Sequence, residues 1–133
     1  MSKLACKCGH RISDTRYPSP TEGTLVPLQD NDRVRPELVR ALSAFVEAVQ
    51  AGRREEWLHS FFYEGYPVHI SDSSVISAIL LLFGEKITRT VLECESCGRL
   101  WVQIAGGRNE YRSYMPDAVG YTAILRSAVG GEG

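Results

Sequence analysis

Four cysteines are the residues of this chain whose type and spacing carry chemistry: Cys6 and Cys8 near the start, and Cys94 and Cys97 in the last third. Two thiolates three positions apart on a tight turn, as in Cys94-Glu95-Ser96-Cys97-Gly98, can reach one tetrahedral ion. The second pair needed to complete the coordination is Cys6-Lys7-Cys8, and Gly9 follows it as Gly98 follows Cys97. Structural zinc is almost always four-coordinate, and four cysteines are a common ligand set. The pattern therefore predicts one structural Zn2+ held by Cys6, Cys8, Cys94 and Cys97. Four thiolates leave no open position for substrate, so the reading assigns no catalytic residue. Other readings of the same residues stay open. They are four unliganded buried thiols, a redox pair at Cys94 and Cys97, an iron–sulfur site, or a site in which His10 replaces Cys6 or Cys8.

The elements that must position these cysteines can be read from period and punctuation. Residues 1–14 suggest two short extended pieces around the first cysteine turn. Residues 15–36 hold Pro18, Pro20, Pro27 and Pro36 and read as a long irregular loop. Residues 37–84 read as a helical insertion. Pro36 suits the first position of its first helix, whose apolar stripe is Leu38, Leu42, Phe45, Val46 and Val49. A second helix runs from Arg53 to Phe62, and a third from about Ser74 to Phe83 behind a Ser71 or Asp72 cap. The third is apolar nearly all round and is expected to be the central buried element. Residues 86–115 change to strand pattern, giving a hairpin around the second cysteine turn and a third strand at Tyr111–Tyr114. Residues 116–129 suggest a terminal helix. The fold class expected is α+β, in one domain spanning 1–133.

At residues 94–101 the sequence Cys-Glu-Ser-Cys-Gly-Arg-Leu-Trp resembles the second knuckle of a zinc ribbon, and Cys6–His10 is similar to the first with one residue fewer between its cysteines. The resemblance implies a small antiparallel zinc-ribbon-like sheet split by the helical insertion. The wider layout is an early Cys-x-Cys-Gly, a helical middle and a late Cys-x-x-Cys-Gly-Arg-Leu. It resembles small bacterial immunity proteins of polymorphic toxin systems. That resemblance implies a non-catalytic protein that binds and neutralises a cognate toxin, with partner-facing residues in the acidic loop around Asp30 and Asp32 and on the exposed sheet.

The remaining candidates are weaker. His59 and His69 stand apart from the cysteines and read as ordinary histidines, Glu55-Glu56 as helix surface, and Gly106-Gly107 as a hairpin turn. Arg53-Arg54 is followed at once by Glu55-Glu56 and makes no basic patch. Arg99, Arg108 and Arg112 with Trp101, Tyr111 and Tyr114 have the basic and aromatic character of a single-stranded nucleic-acid platform. The same residue types suit a protein interface. The balance of 15 basic and 16 acidic residues favours the protein partner over nucleic acid. The hydrophobic fraction of 44% and charged fraction of 23% are those of a globular chain. The start lacks a signal-peptide apolar stretch, and Ala78–Phe83, the longest apolar run, is far short of the roughly 20 residues that span a bilayer. The chain is therefore expected in the cytoplasm with no membrane partner, where paired cysteines favour metal over disulfide.

Overall fold

The described part of the chain in the computed structural model comprises residues 3–13, 16–118 and 120–129. Its architecture is α+β, with three helices and two antiparallel sheets among the described residues. Contacts divide the chain into two compact units, Met1–Val26 with Thr88–Gly133, and Pro27–Ile87. Each builds its own hydrophobic cluster, and the two clusters share no residue. Along the chain, the β unit is thus interrupted by the helical one.

In the β unit, β1 (Lys3–Ala5) and β2 (Arg11–Ser13) form a hairpin with Leu4 opposite Ile12. The second sheet runs in the order β3 (Glu22–Leu25), β4 (Arg89–Glu93), β5 (Leu100–Gln103), β6 (Tyr111–Tyr114), all neighbours antiparallel. Leu25 pairs with Arg89, so the helical insertion leaves and re-enters through adjacent strands. The β5–β6 turn closes on the bond from the Ile104 N–H to the Glu110 carbonyl, with Gly107 at φ 76°. The cluster beneath this unit consists of Cys6, Ile12, Leu92 and Cys94, flanked by Leu4, Cys97, Trp101 and Tyr111.

In the helical unit, α1 is Leu28–Gln50, α2 is Arg54–Phe61 and α3 is Asp72–Gly84. Ala41, Phe45, Leu58, Val75, Ile79 and Phe83 form the core. Trp57 lies between Phe45 and Phe61, with ring centroids 5.3 and 4.6 Å away. Arg54 is turned inward. It donates to Asp72 Oδ1, to the Val68 carbonyl and to the Ile70 carbonyl, at 2.8, 2.7 and 2.6 Å, which ties down the loop between α2 and α3. The Ser71 hydroxyl accepts from the Ser74 N–H at 3.1 Å and caps α3 as expected.

Several expectations are corrected. Residues 15–36 are not an irregular loop throughout, since they contain β3 and the first turns of α1. Pro36 sits inside α1. An interior proline costs about 3 kcal/mol, but Val34, one turn before Leu38, extends the apolar stripe and packs on the core. Asp30 consequently lies in the first turn of α1, where an acid opposes the helix dipole favourably, and Asp32 lies in the turn after it. α3 is not centrally buried: only Val75, Ile79 and Phe83 are enclosed, while Leu80, Leu81 and Leu82 are exposed. The terminal helix at 116–129 is absent among the described residues. Gly120 at φ 113° and Ala123 at φ 57° break any helical path there. The segment is held by tertiary contacts instead. The Leu125 N–H donates to Glu93 Oε1 at 3.4 Å, and Gly23 leaves room for the Leu125 side chain.

Candidate metal centre

Each cysteine pair sits on a turn at the end of a two-stranded hairpin. After β1 the Cys6 N–H donates to the His10 carbonyl at 2.9 Å, and the Gly9 N–H returns to the Cys6 carbonyl at 3.0 Å. After β4 the Cys94 N–H donates to the Arg99 carbonyl at 2.9 Å, and the Gly98 N–H returns to the Cys94 carbonyl at 2.9 Å. The two knuckles use the same pair of closing bonds, the first over a loop one residue shorter. The missing residue between Cys6 and Cys8 is absorbed there. Both glycines need positive φ, 98° at Gly9 and 83° at Gly98, which L side chains rarely adopt. Gly98 has a second reason to be glycine. A Cβ there would lie 2.1 Å from the Gly120 carbonyl oxygen, so the C-terminal segment can pass this close only to a bare backbone.

The turns bring all four sulfurs within 4.8 Å of one another. The nearest contacts cross between knuckles, Cys6 Sγ to Cys97 Sγ and Cys8 Sγ to Cys94 Sγ, each 3.6 Å. Cys94 lies 86 positions after Cys8 in the chain. A tetrahedral ion with metal–sulfur bonds of about 2.3 Å implies sulfur separations of about 3.8 Å, so the spacing matches a single ion. An iron–sulfur cluster interposes its own sulfides and holds the cysteines further apart. The four cysteines are thus positioned to hold a metal ion, and none is joined in a disulfide. His10 gives this site its backbone carbonyl, and the clustered ligand atoms are the four sulfurs.

The surroundings favour thiolate at Cys6 and Cys8. The Trp101 indole N–H donates to Cys6 Sγ at 3.4 Å, and the Arg99 guanidinium approaches Cys97 Sγ at 3.9 Å. Burial of Cys6 works against its ionisation. The Cys8 N–H, the Trp101 indole and the neighbouring thiols outweigh that and draw its pKa from 9.0 down to about 6. The His10 N–H likewise draws Cys8 below 9.0. Cys94 behaves oppositely: it has no exposed surface, and burial pushes its pKa up to about 12 despite the N–H groups of Cys97 and Ser96. A cation among the four sulfurs supplies what Cys94 lacks, a charge partner for a buried thiolate.

The other candidates fall elsewhere. His59 Nε2 meets the Tyr66 carbonyl at 3.2 Å and braces the end of α2. His69 is exposed. Glu55 and Glu56 occupy the first turn of α2. Arg108 pairs with Glu110, and Trp101 and Arg99 are directed at sulfur. Sequence reasoning missed Glu93. It is 1% exposed, beside Cys94, with its N–H on the Thr21 carbonyl and Oε1 facing the Leu125 N–H. Its place at the end of a strand otherwise buried was the one available signal.

Fold and site together define an α+β protein with a four-cysteine centre able to hold one metal ion. Residues 2–118 match the family described as Domain of unknown function (DUF8617), and the chain belongs to it. No curated protein and no solved structure matches the chain. No helix among the described residues is long and apolar enough to cross a membrane.

Proposed function

We propose that this is a non-catalytic protein-binding protein of the bacterial cytoplasm, stapled by one structural Zn2+ at Cys6, Cys8, Cys94 and Cys97, and that it acts as an immunity protein against a cognate toxin. The observation that carries the reading is the closed set of four sulfurs within 4.8 Å. Zinc with four thiolates has its coordination filled, so it holds the fold and takes no substrate. The toxin is inferred from the layout of the two knuckles around a helical middle. Native purification with elemental analysis is expected to give one zinc per chain. A partner captured from the producing cell is expected to be a protein toxin, inactivated in a stoichiometric complex. A metal-free chain of full stability would overturn the staple. A captured partner whose activity survives binding would overturn the immunity role.

The alternative is nucleic-acid binding on the β unit. It draws on Arg112 and Tyr114, which are exposed on β6. It is weakened because Trp101 and Arg99 face the thiols and Arg108 is paired with Glu110. Affinity for nucleic acid falling steeply with salt would restore it.

A further inference from the structure

α3 is apolar on almost every side but buries one stripe, Val75, Ile79 and Phe83. Beside that stripe lies a groove of about 200 Å3 between α1 and α3. Val34 and Leu38 form one wall, and Leu80, Phe83 and Ile87 the other. The N-terminal half of α1 therefore lies along the C-terminal half of α3. Leu80 is 47% exposed at the mouth, and Ile76, one turn earlier on the same flank of α3, is exposed with it. On α1 the apolar flank extends through Val39 and Val46, also exposed. The volume is below the roughly 300–1,000 Å3 of small-molecule sites. It is suited to side chains presented from outside.

Two cations border the groove. Arg35 lines the groove, whose lining contains no acid. Lys86 Nζ stands 4.8 Å from the centroid of the Phe83 ring. Both are exposed, and among the described residues neither makes an ion pair, although Asp32 and Glu85 are close in sequence. An apolar floor with two free cations asks for an apolar segment bordered by carboxylates. A second copy of the chain suits it poorly. A two-fold interface sets the same patch against itself, so Arg35 and Lys86 would meet their own likeness.

We propose that the α1–α3 groove is a docking site for an amphipathic helix of a protein partner, its apolar face seated between Leu38 and Leu80 and its flanking acids paired with Arg35 and Lys86. This is the helix-in-groove mode, in which apolar anchors at helical spacing give affinity and charges at the edge select the partner. The inference rests on the protein-binding reading above and names the surface that would serve it.

The test uses the full-length, metal-loaded chain. A displayed library of helical peptides keeps apolar residues at i, i+3, i+4 and i+7 and randomises the flanking positions among Glu, Lys and Ser. It is selected on the wild type and counter-selected on Leu80→Asp. Enriched peptides are expected to be Glu-rich and to bind Leu80→Asp more weakly by about tenfold or more, as when a central interface anchor is lost. Their charge preference is expected to invert on the double variant Arg35→Glu, Lys86→Glu. Leu80→Gln, which keeps helix propensity, and circular dichroism of each variant separate lost binding from lost folding. Absence of peptides that distinguish wild type from Leu80→Asp, or enrichment of Lys-rich peptides, would overturn the proposal. So would a dimer in sedimentation that Leu80→Asp dissociates, since a second copy would then occupy the groove. A native protein partner whose affinity Leu80→Asp leaves unchanged would remove the groove and leave the protein-binding reading standing. Absence of both a native protein partner and peptide binders would remove both.

Discussion

Removing the metal should unfold one unit and spare the other. The reason lies in what each core is made of. Of the four buried members of the β-unit cluster, two are the cysteines Cys6 and Cys94, leaving Ile12 and Leu92 as the buried hydrocarbon. The core cluster of the helical unit has six buried apolar side chains, with Val34, Leu38, Leu42, Trp57, Phe61 and others packed around them and no cysteine involved. A structural zinc contributes about 10–16 kcal/mol of apparent free energy to folding, against a net stability of about 5–15 kcal/mol for a whole domain. Losing it takes the β unit past its margin. The helical unit has nothing to lose directly. The assay follows from the placement of the two tryptophans, Trp101 in the β unit and Trp57 in the helical one. In a Trp57→Phe background, titration with a strong chelator should shift Trp101 emission to that of solvated indole, while helical circular dichroism is largely retained. Restoring zinc should reverse it. A chelated protein with unchanged Trp101 emission would refute the staple. Loss of Trp101 and helix signals in one coincident transition would refute the independence of the two cores.

Four further outcomes follow from single contacts. Gly9→Ala and Gly98→Ala both force a left-handed conformation on alanine, at about 1–2 kcal/mol. Only Gly98→Ala also drives a Cβ into the Gly120 carbonyl, so urea unfolding followed at Trp101 should show it losing about 1–3 kcal/mol more. Trp101→Phe removes the indole donor to Cys6 Sγ and should weaken zinc affinity about 10–100-fold in competition with a chelator, the usual effect of losing a group that orients a ligand. Cys94, with its pKa pushed up to about 12, holds its proton at pH 7, whereas Cys6, drawn down to about 6, has largely released its own. Zinc uptake must therefore expel at least one proton, and affinity should fall as pH falls. The calorimetric heat should vary with the ionisation enthalpy of the buffer, and a constant heat would refute this. Arg54→Gln forfeits charged donation to Val68 and Ile70 and should cost the helical unit about 2 kcal/mol by urea unfolding followed at Trp57, with the loop before α3 exchanging its amides faster.

The parts of this protein legible in its sequence are those specified over a few residues. The two cysteine turns are local, and their glycines, strands and even the Ser71 cap could be read from neighbours in the chain. β3 could not. Glu22-Gly23-Thr24-Leu25 has no strand pattern of its own and is a strand because Glu22 and Leu25 pair with Leu92 and Arg89 far along the chain. The early start of α1 was hidden by Pro36, whose local cost is offset by where Val34 packs. The 116–129 segment reads as a helix by composition, yet it is fixed by Glu93, Gly23 and Gly98, groups no window around it contains. The charges misled in the same way. Arg54, in the sequence only part of a charge-balanced Arg-Arg-Glu-Glu run, is a clamp, while Arg99 and Trp101 read as a binding platform and face sulfur.

That redistribution of roles bears on where function lies. A four-thiolate centre leaves the ion no open position, and the donors around it are spent on holding the thiolates. In the β unit Arg112 and Tyr114 are exposed on β6, and Tyr17, Met115 and Ile124 stand exposed between and after the strands. The helical unit has its core secure and its third helix showing Leu80, Leu81 and Leu82 outside. A helix this apolar gains little from standing in water: fully burying a leucine is worth about 1.5–3 kcal/mol, and Leu80, Leu81 and Leu82 leave 47%, 64% and 40% of their surface exposed. Ile76 and Leu80 share one flank of α3, and contiguous exposed apolar surface marks an interaction site more often than an accident of packing. Under the proposed function, the four-cysteine β unit would close the chain around an insertion, and the insertion would meet the partner. Substitutions at the cysteines should then unfold the β unit while the helical unit keeps its groove and its binding. Leu80→Asp should weaken that binding by about tenfold or more in a protein that retains its zinc, its Trp101 emission and its helices.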